Sequence, residues 1–186
     1  MDEAFLQYLR QFEFLTHSDI NLIWDNTQLK RFETGEQIVN IGDVVNQGIT
    51  VLEGVLRNYY FTSKGDEHTV YLVAKGMAIG SDDCIFQGKP STIVVEAVEP
   101  SLVMLVNSEK IDKLGRTNPG LLKWQNRRIR MNMAEAAEQV KFYTVLSPEE
   151  RFIALRDQHP ELMQSVPHKY LACLLYTSDA ADERHC

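Results

Sequence analysis

Apolar positions change period twice along this chain, and the changes divide it. Near the start, Phe5, Leu6, Leu9 and Phe12 recur at helical spacing. Thr16 is followed three residues later by Asp19, then by Ile20, Leu22, Ile23 and Trp24, the pattern of a capped helix. From Gln28 the chain turns to short β-rich runs: QIVNI, GITVLEG, VLRNYYF, TVYLVA, TIVVEAV and LVMLV. Gly35, Gly42, Gly48, Gly54, Gly65, Gly76, Gly80 and Gly88 punctuate them. Regularly spaced short strands with glycine turns predict a roll, sandwich or barrel, with Lys64-Gly65-Asp66 as one hairpin turn.

After Asn107 the period is helical again. Between Pro119 and about Leu146, the residues Leu122, Ile129, Ala136 and Tyr143 fall seven apart. Met133 and Val140 follow Ile129 and Ala136 by four, which makes an a/d seam with Asn126 as its polar member. Two readings fit: an amphipathic helix packed on its own β-roll, or a parallel dimer helix. The seam is narrow and flanked by Gln125, Arg127, Arg128, Arg130 and Lys141, which favours a homodimer through Leu122, Ile129, Met133, Ala136 and Val140. Ser147-Pro148-Glu149-Glu150 opens another helix, with serine as N-cap, proline at the first helical position and Glu150 closing a capping box. His159-Pro160 ends it, and a further helix begins at Pro167.

Composition narrows the class. A chain of 186 residues with 44% hydrophobic and 24% charged residues has the make-up of a globular protein with a real core. No apolar run approaches a membrane span, and the acidic, amphipathic start is no signal peptide, so no membrane partner and a cytoplasmic location are expected. The net charge of −7 argues against coating nucleic acid with the whole surface, but leaves room for a local basic face. Cys84, Cys173 and Cys186 form neither a disulfide framework nor a zinc or iron–sulfur spacing.

The run from Phe32 to Asp83 resembles the cyclic-nucleotide-binding-like β-roll of the Crp/Fnr superfamily. Gly35 and Gly42-Asp43 match its early turns, Gly54 its mid-roll glycine, and Gly76 and Gly80 the approach to its ligand cassette. A long helix follows, then SPEERFIAL and VPHKYLA, which look like the first helices of its winged helix-turn-helix domain. The resemblance spans residues from about 15 to 172. It implies an α+β fold: an antiparallel jelly-roll-type β-roll with N-terminal helices, a long dimerisation helix and the start of a winged helix-turn-helix. The expected divisions are 1–108 for helices and sensor roll, 109–146 for connecting and dimer helices, 147–172 for an incomplete DNA-binding domain, and 173–186 for a tail. The function implied is transcription regulation, with DNA as partner of the intact parent.

The family's phosphate cassette uses a Gly-Glu pair and, further on, Arg followed by a small hydroxyl residue. Aligned without gaps, Gly80 takes the glycine position, Ser81 the glutamate, Ser91 the arginine and Thr92 the hydroxyl. Both charged groups are missing. Each charge-assisted hydrogen bond contributes about 1.5–3 kcal/mol, so losing two weakens binding by several orders of magnitude. Lys89 lies two residues from the arginine position, but as a point charge rather than a bidentate fork. Gly80, Ser81, Lys89, Ser91 and Thr92 are therefore effector-pocket candidates, with neither cAMP nor cGMP expected as cofactor; two readings stay open, an unidentified small-molecule effector or a β-roll that serves only as a dimer scaffold. His68 could serve as a haem ligand by type only; a solvent-facing hairpin position explains it better. Tyr59, Tyr60 and Tyr71 read as core or rim.

The stretch CLLYTSDAADE from Cys173 to Glu183 breaks the helix-turn-helix pattern. It is the translation of a string resembling the end of a transposase-based sequencing adapter, so residues 173–186 are expected to be non-native. The helix that reads bases in the major groove would then be missing. His168 and Lys169 match positions that touch DNA phosphates in the family. Two other classes fit the residues less well. A cupin-type enzyme holds its metal with about three histidines and a carboxylate, whereas Gln28 to Val106 contains only His68. A cyclic-nucleotide module of a kinase or channel would need the cassette Glu and Arg. No catalytic residue and no metal site are expected.

Overall fold

Capping chemistry starts the first two helices. In the computed structural model, which describes residues 1–79, 84 and 87–175, α1 spans Glu3–Leu9 and α2 spans His17–Asp25. The Asp2 carboxylate accepts from the backbone N–H of Ala4 and Phe5. Thr16 and Asp19 close the capping box read from their spacing. Among the described residues eight strands follow: β1 (Thr27–Phe32), β2 (Gln37–Val39), β3 (Gln47–Glu53), β4 (Leu56–Phe61), β5 (Glu67–Val73), β6 (Ala78–Ile79), β7 (Val94–Ala97) and β8 (Ser101–Asn107). Then come α3 (Ser108–Gly115), α4 (Pro119–Thr144), α5 (Pro148–Gln158), α6 (Pro160–Ser165) and α7 (His168–Leu175).

The strands form two antiparallel four-stranded sheets, in the orders β1-β8-β3-β6 and β2-β7-β4-β5. Between them Val51, Leu56, Val73, Val95 and Val103 make an apolar core. The apolar run LVMLV on β8 is uninterrupted because both of its faces are covered. Val103 and Leu105 point into the roll, while Leu102, Met104 and Val106 meet Phe5, Leu9, Ile23, Leu121 and Trp124 of the helices. A third core lies outside the second sheet, where Val55, Leu72 and Val98 pack against Leu155, Leu162, Val166 and Leu171 of α5 to α7.

The structure departs from the expected elements in three places. β1, TQLKRF, went unseen because its lysine and arginine hide the alternation; only Phe32 is buried, and β8 supplies the pairing. Among the described residues β6 is two residues long and pairs with β3 alone. Pro160 not only follows α5 but also occupies the first turn of α6, where its missing N–H costs nothing.

Gly54 turns the chain between β3 and β4 with φ +83°. A Cβ there would sit 2.6 Å from the Pro100 carbonyl oxygen and 2.8 Å from the Ser101 Cα, besides meeting the Ser101 hydroxyl. Left-handed backbone costs a side-chain-bearing residue about 1–2 kcal/mol, and overpacking adds about 1–3 kcal/mol. Gly54→Ala should therefore lower unfolding stability by at least about 2 kcal/mol, read as a shift in the urea midpoint.

Asp19 joins two parts of the fold. Its carboxylate accepts from the Thr16 backbone and hydroxyl and from the Asn118 amide at 2.8 Å, so the cap of α2 also holds the residue that caps α4. Burial by itself would raise this carboxyl, but the hydrogen bonds from Thr16 and Asn118 outweigh it and hold it below its ordinary 3.8. A depressed carboxyl contributes stability above its unfolded value and loses it as pH falls through the folded one. The stability gap between the protein and Asp19→Asn should therefore be constant near neutral pH and close below about pH 3.8, as measured by urea unfolding at a series of pH values.

Candidate functional site

Helix α4 carries two different faces. One stripe (Leu121, Trp124, Arg128, Met131, Glu135, Gln139 and Tyr143) runs along the protein's own body at a 3.6-residue period. Leu121 and Trp124 are fully buried. The Arg128 guanidinium lies over the Trp124 ring and donates to the Thr50 hydroxyl at 3.0 Å. Tyr143 donates its hydroxyl to the Val70 carbonyl at 2.5 Å, so it leaves the seven-residue seam and belongs to the roll side. The rest of the seam points away: Leu122, Ile129, Met133 and Val140 are 49, 48, 67 and 63% exposed, with Asn126 and Ala136 exposed beside them. The sequence posed the two packings as alternatives; the helix has a face for each.

The cassette positions separate. Ser91 is buried. Its hydroxyl donates to the Ile93 carbonyl at 2.9 Å and accepts from the Ile93 N–H. Its backbone bonds to Gly42 and Asp43 tie the strand to the early turn. The serine at the arginine position is thus occupied within its own loop. Lys89 and Thr92 are exposed, whereas Gly80 and Ser81 lie outside the described residues. Cys84 is buried and donates its thiol to the Asp43 carbonyl. His68 is half-buried on β5 rather than solvent-facing, because its strand is flanked by β4. Tyr59 is buried, Tyr60 exposed and Tyr71 half-buried.

A charged cluster that the sequence pattern does not announce occupies the outer face of the second sheet. Arg57, almost wholly buried, bonds Glu67 at 2.6 Å, Glu96 at 3.0 Å and the Thr69 hydroxyl at 3.3 Å. Its guanidinium lies 4.0 Å from the centroids of both Tyr59 and Tyr170, the latter on α7. Burial by itself would lower this guanidinium, but Glu67 and Glu96 outweigh it and keep it cationic. The signal was an arginine inside the apolar run VLRNYYF, with acidic residues on two other strands. Their convergence needs the sheet order β7-β4-β5. His168 and Lys169 stand exposed at the start of α7, and Lys169 lies over the Tyr170 ring.

Two sheets in this order, with helices on one end and a long helix leaving β8 through α3, are a specific arrangement, and residues 29–118 match the cyclic nucleotide-binding domain family. The β-roll has the cyclic nucleotide-binding fold. No curated protein sequence matches the chain. Among solved structures, the sensor domain of the transcriptional regulator DNR from Pseudomonas aeruginosa superposes with a TM-score of 0.57 at 14% identity, covering 73% of this chain and 91% of that one. FixK2 from Bradyrhizobium japonicum gives 0.63 at 13% identity, over 80% and 77%. The regulatory domain of Toxoplasma gondii PKA with cAMP gives 0.51 at 22% identity, over 61% and 45%. At these identities the shared property is the fold.

Removing Arg57 would leave Glu96 buried without its cation. Breaking a buried pair in this way typically costs about 3–5 kcal/mol. Arg57→Ala should therefore destabilise the β-roll by about that much. Arg57→Lys should restore only part, because an ammonium cannot fork between two carboxylates and stack on two rings. Thermal and urea unfolding of the two variants check this.

Proposed function

We propose that this chain is the sensor and dimerisation module of a Crp/Fnr-type transcriptional regulator. The observation that carries the reading is the bare seam of α4: four large apolar side chains in line, on the opposite side from the stripe seated on the roll. Exposed contiguous apolar surface marks an interaction site. In this reading two copies pair in parallel through Leu122, Ile129, Met133, Ala136 and Val140, with Asn126 as the polar layer that sets register. α5 to α7 begin the DNA-binding domain, His168 and Lys169 reach phosphates, and DNA in the cytoplasm is the partner of the parent protein. Phosphate contacts of this kind position a protein without reading sequence. The role is regulatory rather than catalytic.

The effector is not cAMP or cGMP in this reading. Ser91 supplies no cation for a cyclic phosphate, and its hydroxyl is already engaged with Ile93. Lys89 is exposed and single. Calorimetric titration should detect no micromolar binding of either nucleotide; a micromolar constant for one of them would contradict the assignment.

Burying each large seam side chain contributes about 1.5–3 kcal/mol, so a charge in the middle of the seam removes the drive to pair. Ile129→Glu should sediment as a monomer where the parent chain sediments as a dimer. A variant that stays dimeric would place the interface elsewhere.

A further inference from the structure

A cleft of about 590 Å³ opens between the second half of α4, strand β5 and the helices α5 and α6. Its walls are mostly apolar: Leu72, Met77, Phe142, Leu146, Ile153 and Leu162. None of Lys89, Ser91 or Thr92 lines it. The volume falls in the range of small-molecule sites, which pair apolar walls with a few placed polar groups.

Two polar groups in the cleft lack the partner their burial calls for. The Tyr71 hydroxyl is buried and, although Gln139 lies near, has no partner of hydrogen-bonding geometry. Glu135 is half-buried on the roll-facing stripe of α4 and has no ion pair among the described residues. The two are neighbours: burial pushes the Tyr71 hydroxyl up, and the Glu135 charge pushes it further. The other acids at the cleft are already engaged. Glu138 pairs with Lys141, Asp157 with Arg156, and Glu150 caps Ser147. Burial likewise raises the Glu135 carboxyl, so a cation brought to it would be doubly welcome.

We infer that this cleft binds an organic cation with an apolar body, its ammonium or amidinium held by Glu135 and Tyr71 and its body against Phe142, Leu146 and Ile153. An amine donates to both groups at once: the carboxylate takes the charge, and the phenol oxygen accepts a second N–H. An anion is disfavoured by Glu135, and a purely apolar ligand would leave both polar groups buried and unanswered. The cleft touches the roll, the dimer helix and α5, the first helix of the proposed DNA-binding domain. Its use as the effector site rests on the regulator reading, whereas binding itself does not.

The probe pair is 2-(1-naphthyl)ethylamine and its neutral counterpart 2-(1-naphthyl)ethanol, titrated calorimetrically into the full chain. The amine should bind at least about tenfold tighter than the alcohol, as expected when a charge-assisted hydrogen bond distinguishes them. Glu135→Gln should abolish that preference, Tyr71→Phe should reduce amine affinity several-fold, and Glu149→Gln, outside the cleft, should leave both unchanged. Circular dichroism melts establish that each variant is folded. The same titration on Ile129→Glu separates this site from the dimer, since binding there is expected to persist whatever the oligomeric state. Equal affinity for the two probes, an amine preference that survives Glu135→Gln, or no binding by either would overturn the assignment.

Discussion

Helix α4 presents more apolar surface than its own β-roll covers. Trp124 and Leu121 are fully buried, and Arg128 and Tyr143 add hydrogen bonds to Thr50 and Val70 that fix the helix's rotation. That rotation decides everything on the other side. With the stripe through Trp124 facing inward, Leu122, Ile129, Met133 and Val140 face outward together. The helix is anchored at its start by Asn118, whose amide reaches Asp19 of the α2 cap. The N-terminal helices thereby set the direction in which the seam is presented.

A second constraint acts on the far face of the roll. Arg57 gathers Glu67, Glu96, Thr69 and Tyr59 from three adjacent strands, and Tyr170 of α7 closes over it. Leu155, Leu162, Val166 and Leu171 add an apolar seat against Val55, Leu72 and Val98. The C-terminal helices are therefore fastened to the sheet by packing and by one cation shared between two rings. A shift in β4, β5 or β7 moves the seat of α7 directly. Under the proposed regulator reading, such a contact ties the state of the sheet to the helices that follow.

Much of this was legible in the sequence because it depends on local rules. Capping boxes at Thr16-Asp19 and Ser147-Glu150, the turn at Gly65 and the strands from GITVLEG to LVMLV follow from spacing and turn chemistry. β1 was not legible, since an edge strand with charged side chains has no apolar alternation to display. The two faces of α4 overlap in one sequence. A heptad count finds Leu122 and Ile129 but draws in Tyr143, which only the roll's position assigns to the inner stripe. The Arg57 cluster and the juxtaposition of Tyr71 and Glu135 in one cleft join residues far apart in the chain, and nothing in their spacing announces them. Ser91 shows a further limit: alignment to the cassette locates the residue, but its hydroxyl's bond to Ile93 is a property of the folded loop.

Everything proposed about regulation depends on whether the outward seam of α4 meets its own copy in parallel. Symmetric disulfide trapping measures this most directly, because a disulfide requires Cα atoms within about 4.4–6.8 Å. With Cys84, Cys173 and Cys186 replaced by serine, Met133→Cys should oxidise rapidly to a covalent dimer, since residue 133 meets its own counterpart in a parallel pair. Ala134→Cys, exposed but turned off the seam, should remain monomeric under the same oxidant. Equal rates at the two positions, or trapping at 134 and not at 133, would contradict a dimer built on this face.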